Sequence, residues 1–389
     1  MSDVVVLTQE GPEGIRYDFV DGCRVWVPEG GNWRIRLRDR VADTVVYQHD
    51  FTSTGMVQSS KRYYIPFEIK VWKDDKLVFT HNCDLKERDV LITMHLGGLG
   101  DQLAWIGHAA AFAQHHQCRL TCCMQEALIP LFEKTYPDIH FVSNVDDDAM
   151  KRYYAHYRVL VFFEDKEHNF QPIDYRQSGL IHMGADTLGL PYAERRPRIT
   201  IDPGGRPIKE RYVCIGSQAS GLSKYWNNPV GWYQVVRFLK EHGYRVICID
   251  RSRIGGTETA LRMIPHGVED ETGDRPLSER ARWLKHADFF VGLSSGLSWL
   301  AWAVETPVVM ISGYTQPYNE FYTPYRIINR HVCNSCGNDV TQRLHPEDPL
   351  FCPYHKGTDR IFECTRAISA QHVTSVIETI PGFGVQRDD

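Results

Sequence analysis

Over residues 1–87 apolar and polar positions alternate with period two. Trp33, Ile35 and Leu37 are separated by Arg34, Arg36 and Arg38, and Ile65, Phe67, Ile69 and Val71 by Pro66, Glu68 and Lys70. Successive side chains of a strand point to opposite faces, so the pattern predicts half-buried strands. Lys73-Asp74-Asp75-Lys76 predicts a hairpin turn into Leu77-Val78-Phe79, and Pro28-Glu29-Gly30-Gly31 another turn. The expectation is a small all-β domain, barrel or sandwich, with no catalytic constellation in it.

From residue 88 the period changes. Val90–Met94 is a continuous apolar strand followed by a glycine loop and a helical stretch to about Gln117. Leu120–Met124, Ile139–Ser143 and Val159–Phe163 read as further strands, and 126–136 as a helix. After a proline-rich linker near residue 205 the alternation resumes. Strands are predicted at Tyr212–Gly216, Tyr244–Asp250, Phe289–Leu293 and Pro307–Ser312. One helix carries Trp232, Val235, Val236 and Leu239 on a face, and a last one Val373, Val376, Ile377 and Ile380. Strands alternating with helices imply parallel sheets. The fold class expected is α/β, with two Rossmann-like halves at 88–205 and 206–389 behind the all-β domain and a ligand cleft between the halves.

Composition narrows the function. The 389 residues are 42% hydrophobic and carry a net charge of −5. That supports real cores and argues against broad nucleic-acid binding, which needs a basic face. No run approaches the ~18 apolar residues of a membrane span, and the N-terminus lacks a secretory pattern, so a cytoplasmic protein is expected.

Leu96-Gly97-Gly98-Leu99-Gly100-Asp101 joins a strand to a helix, where glycines admit a close ligand and a helix N-terminus favours anions. Spacing alone leaves Asp101 as a catalytic carboxylate or a helix cap, with its helix end expected to favour the charged form. Ser294-Ser295-Gly296-Leu297-Ser298 sits at another strand-to-helix junction and reads as a phosphate nest or a Ser-capped helix. Asp250 closes a strand where an acid can hold ribose hydroxyls, or is a turn residue. Lys224, after a predicted strand, can meet a pyrophosphate or stand solvated.

Eleven cysteines do not make a disulfide scaffold in a chain this long. Four of them crowd a polar segment: Cys333-x₂-Cys336, fifteen residues, Cys352, eleven residues, Cys364. Four thiolates suit a tetrahedral structural metal site, zinc by default and iron as the alternative, within a finger at 331–366. His331, His345 and His355 are spare ligands.

Together with Lys224-Tyr225-Trp226-Asn227-Asn228 and Gly296–Ala303, the glycine loop and the cysteine segment resemble the bacterial autotransporter heptosyltransferases. Tyr17-Asp18-Phe19, Arg88–Ile92, Glu320–Pro324 and Phe362–Arg366 extend the resemblance over nearly the whole chain. It implies a GT-B enzyme, akin to lipopolysaccharide heptosyltransferases, that moves heptose from ADP-heptose onto serines of an autotransporter adhesin with inversion. It implies Asp101 as general base, and donor contacts from Gly98, Leu99, Gln218, Lys224, Asp250, Ser294, Ser295, Gly296, Leu297 and Ser298. It further implies one iron per chain on Cys333, Cys336, Cys352 and Cys364, and a dodecameric ring. Where the family pattern has Thr at one glycine-loop position this sequence has Gly. Two other readings stay open: a GT-B transferase using another nucleotide sugar, and a non-enzymatic binding module built on the finger.

Overall fold

The computed structural model describes residues 6–257, 260–344, 348 and 350–385. The N-terminal region forms two four-stranded antiparallel sheets. One runs Thr44–Phe51, Trp33–Asp39, Phe67–Lys73, Lys76–Asn82, and the other Gln9–Glu10, Arg16–Asp18, Arg24–Val27, Gly55–Gln58. Trp33, Ile35 and Leu37 and the facing Phe67, Ile69 and Val71 are all buried, as their alternation requires.

The region continues into the α/β body. Phe19 bridges Ala155 in parallel, its amide donating to Tyr154 O (2.9 Å) while the His156 amide donates to Phe19 O (3.1 Å). One apolar core runs from Ile15 and Trp33 through Ile92 and Trp105 to Trp299 and Phe321. A buried bidentate pair, Arg24 to Asp18 at 2.7 Å, fixes the junction.

The first parallel sheet has the order His140–Val142, Arg119–Cys123, Asp89–Thr93, Ala155–Arg158. The second has Glu269–Asp270, Arg245–Cys248, Tyr212–Ile215, Phe290–Leu293, Val308–Ile311, Arg326–Ile327. Each has its central strands buried on both faces, which is why they read as unbroken apolar runs.

Two expected elements differ. The strand placed at Val159–Phe163 lies at Ala155–Arg158. Beyond Val159 the chain turns away because Gln171 satisfies both backbone groups of Phe162 (3.2 and 2.9 Å), so its apolar residues pack as a loop. The helix placed at 126–136 is a 3₁₀ turn, Glu126–Leu128, and one α-turn, Ile129–Phe132. Pro130 has no N–H to continue a helix and starts a new one instead. A hairpin of Ile254–Thr257 with Ala260–Met263 had no clear sequence signal.

Candidate active site and thiol cluster

The two halves meet at helix N-termini. The Leu99–His116 helix starts from the first sheet and the Gly296–Ala303 helix from the second. A Cβ on Gly100 would lie 2.6 Å from Trp299 Cδ1, and Leu99 packs directly on Gly296. Only glycine permits this approach.

Asp101 is the third residue of its helix, not the N-cap. Its Oδ2 accepts the Gly98 amide at 2.7 Å, one arm of a capping box. Burial pushes its carboxyl above the usual carboxylate range, while the Gly98 amide and the Lys224 ammonium pull it back. The helix end does favour the charged form, through the Gly98 amide, but desolvation is the larger influence and the net direction is upward. Asp101 and Lys224 come from opposite halves, and the ammonium acts on the carboxyl across the space between them.

Lys224 ends the 3₁₀ turn Leu222–Lys224, with Nζ over the Tyr314 ring at 5.7 Å from its centroid. The rest of its motif anchors that turn. Trp226 Nε1 donates to Ile368 O (3.0 Å), and Asn227 Nδ2 donates to Leu222 O, Tyr225 O and Thr365 Oγ1 (2.9, 2.9 and 3.0 Å). Leu222 and Tyr225 also share an apolar cluster with Cys352 and Phe362. The lysine therefore stands on the cysteine segment.

The serine loop divides by role. Ser295 is the N-cap of its helix, and its Oγ is buried without a partner among the described residues. With the first-turn amides of Gly296 and Leu297, which have no intrahelical acceptor, it offers donors of the kind an anion takes. The hydroxyls of Ser294 and Ser298 are turned inward instead. Ser298 Oγ, fully buried, donates to Leu293 O, and Ser294 Oγ donates to Glu320. Glu320 also accepts from Thr315, Asn319 and Arg326, making a buried network beneath the serine loop.

Asp250 is likewise turned inward. Its carboxyl is 1% exposed and accepts from the Ser217 amide (2.8 Å), Ser217 Oγ (2.7 Å) and the Gln218 amide (3.3 Å). It clamps the loop after Tyr212–Ile215 instead of facing a ribose. Gln218 remains partly exposed there, with Nε2 on Ser252 O at 2.7 Å.

Cys333, Cys336, Cys352 and Cys364 are unbridged. Burial pushes the thiols of Cys336 and Cys364 up, the latter to about 12, and neighbouring thiols of the set push each further. A cation held by these thiols would reverse that penalty. By donor chemistry, four thiols in one segment suit a thiophilic metal. The tight group is different from the expected quartet: Cys333, His355 and Glu363 offer ligand atoms within 4.8 Å of one another. Glu363 is heavily engaged, accepting the Cys333 amide (3.0 Å) and Arg360 on both oxygens (2.8 and 2.6 Å). His345 lies outside the described residues.

Sequence reasoning missed the contact between the cysteine segment and the first half. Arg176 Nη1 donates to Val340 O and Gln342 O (2.9 and 2.7 Å), while Tyr318 OH and Asn338 Nδ2 donate to Arg176 O (2.7 and 3.0 Å). No short-range pattern announces a pairing between residues so far apart. Among the described residues no helix is long and apolar enough to cross a membrane.

Residues 11–75 match the N-terminal domain of glycosyltransferase TibC, and residues 170–349 match glycosyltransferase family 9 (heptosyltransferase). The autotransporter heptosyltransferase Aah of Escherichia coli is 43% identical over 100% of this chain and 98% of its own length. BimC of Burkholderia thailandensis, an inactive autotransporter heptosyltransferase, is 41% identical over 97% of this chain and 88% of its own. The crystal structure of TibC from E. coli H10407, a dodecameric iron-containing heptosyltransferase in complex with ADP-D-beta-D-heptose, superposes with TM-score 0.92 at 41% identity, covering 99% of this chain and 100% of that one. The chain belongs to the autotransporter heptosyltransferases, glycosyltransferases of family 9 with a TibC-type N-terminal domain.

Proposed function

We propose that this chain is an active, inverting transferase that moves heptose from ADP-heptose to serine hydroxyls of an autotransporter adhesin. The observation that carries the reading is the half-buried Asp101 in the first turn of a helix whose start packs on the start of the Gly296–Ala303 helix, within electrostatic reach of Lys224. A serine hydroxyl is a weak nucleophile until a base removes its proton during attack, and a base with a raised pKa is the better acceptor. Asp101 takes that proton as the serine oxygen bonds to the anomeric carbon and the bond to the β-phosphate oxygen breaks on the opposite face. Lys224, Ser295 and the amides of Gly296 and Leu297 meet the charge growing on ADP. Leu99 and Gly98 shape the cleft, Gln218 lines the nucleotide side, and Asp250, Ser294 and Ser298 hold its loops.

Cys333, Cys336, Cys352 and Cys364 would hold an iron ion, which supplies structural cross-linking of the segment beneath Lys224. Assembly into a dodecamer is part of the same reading, supported by the likeness to TibC. The test is intact-mass analysis of an autotransporter passenger fragment incubated with the protein and ADP-heptose. Additions of one anhydroheptose per modified serine are expected. ADP-heptose left unconsumed, or additions only from UDP- or GDP-sugars, would overturn the reading.

A further inference from the structure

The cleft has one closed flank and one open one. At the carboxyl end of Ala155–Arg158 the cysteine segment seals it through Arg176 on Val340 O and Gln342 O and through an Arg343–Glu164 ion pair of 2.6 Å. On the other side, at the carboxyl ends of Arg119–Cys123 and His140–Val142, lies a depression of about 510 Å³. It is lined by Ile129, Pro130, Phe141 and Val142 together with the polar Glu126, Ser143 and Asn144. Ligands of open parallel sheets gather along this carboxyl edge.

The depression is tied to the catalytic loop. Gln125 Nε2 and Gln102 Nε2 both donate to Gly97 O (2.9 and 2.6 Å), and the Gln125 amide donates to Gln102 Oε1 (3.0 Å). The Met124 amide donates to Val142 O (3.0 Å), completing a fixed rail from Gly97 to the wall of the depression. Leu96, on that loop, is 74% exposed and adds an apolar side chain next to Gly97.

Resting on the reading of Asp101 as the base, we infer that the acceptor chain lies extended along this rail and seats an apolar side chain in the depression. An acceptor serine at Asp101 must let its chain leave the cleft, and the sealed flank leaves this direction. The depression is two strands from the catalytic strand, about 10 Å at ~4.8 Å per strand, which an extended chain covers in about three residues. The side chain read there is thus about three residues from the modified serine. The subsite selects for a small or medium apolar group, and Glu126 disfavours an acid next to it.

The test uses the full-length protein with Asn144→Trp, which fills the depression from its rim, and Ile129→Glu, which charges its wall. Two readouts are taken: the KM for the passenger fragment, and donor-free binding of that immobilised fragment. Both variants are expected to raise acceptor KM and weaken donor-free binding at least ~10-fold, while kcat at saturation and ADP-heptose affinity stay unchanged. Wild-type acceptor binding in both variants would overturn the subsite. So would an altered oligomer mass with unaltered acceptor KM, which would make the depression a contact between copies. Because binding is read without turnover, a fragment that binds through the depression but is never glycosylated counts against the base assignment and not against the subsite.

Discussion

Gly100 and Trp299 occupy the same few ångströms from opposite halves: a methyl on Gly100 would meet the indole Cδ1 at 2.6 Å. The contact sets how closely the helix that carries Asp101 approaches the helix that begins at Gly296. Interiors packed at this density do not absorb an added methyl without moving backbone, at about 1–3 kcal/mol. Gly100→Ala is therefore expected to keep ADP-heptose affinity within about twofold and to lower kcat at least ~10-fold, since small misplacements of reacting groups are costly. Steady-state kinetics with a calorimetric binding measurement separate the two effects. Unchanged kcat would mean the halves do not need this approach.

Asp101→Asn keeps the shape and the acceptor for the Gly98 amide while removing basicity. Transfer is expected to fall at least ~10²-fold, with donor binding and metal content unchanged. Near-normal turnover would leave Asp101 as a helix-capping residue only.

The same carboxyl predicts the acid limb of the pH–rate profile. Its folded pKa is raised, so the ionised base is lost as pH falls through a value above the ordinary carboxylate range. Lys224 lowers that pKa, so Lys224→Gln at saturating donor is expected to move the limb to higher pH. The stability sign is opposite to that of a salt-bridged acid. A raised carboxyl costs stability above its unfolded pKa, so Asp101→Asn should not lower the melting temperature at neutral pH. A limb that stays fixed when Lys224 is removed would separate the two residues.

The sheets were legible because their apolar runs and alternation follow from burial on two faces or one, and Val90–Met94 and Trp33–Leu37 show both cases. The site was legible in part. Asp101, Lys224 and Ser295 lie at strand or helix ends where local chemistry points to a ligand. Asp250, Ser294 and Ser298 lie at similar ends, but their polar atoms are turned inward to Ser217, Glu320 and Leu293 O, which no local pattern encodes. The N-terminal region looked separable by its period, yet Phe19 pairs with Ala155 and one core spans both. Cutting at residue 86 would expose that core.

Arg176 offers a test of the seal between the cysteine segment and the first half. It is itself held by Asp174, which accepts its Nε at 2.8 Å, so its Nη1 is aimed at the two carbonyls. Arg176→Ala is expected to leave metal content and donor affinity unchanged and to lower kcat, with faster amide exchange across Tyr175–Thr187. Exchange confined to its wild-type rate would show that the seal does not depend on this side chain.

The metal prediction turns on which residues hold the ion. Lys224 stands on a turn whose Leu222 and Tyr225 pack with Cys352 and Phe362, so loss of metal should loosen that turn. Chelation is expected to weaken ADP-heptose binding and lower the melting temperature together, and elemental analysis of the untreated protein to find iron near one equivalent. Zinc in its place would overturn the iron assignment. The ligand set is separable by single changes. Ser at Cys336, Cys352 or Cys364 should abolish metal retention if the four sulfurs bind, whereas His355→Ala should retain the ion. If Cys333, His355 and Glu363 bind instead, as their 4.8 Å grouping permits, His355→Ala loses the metal and Cys336→Ser keeps it. Glu363→Gln sharpens the distinction. As a group that only holds the Cys333 amide, Glu363 should tolerate the amide with little metal lost, because Gln still offers an oxygen to that N–H. As a ligand it should not, because a neutral amide is a much poorer partner for the ion than a carboxylate.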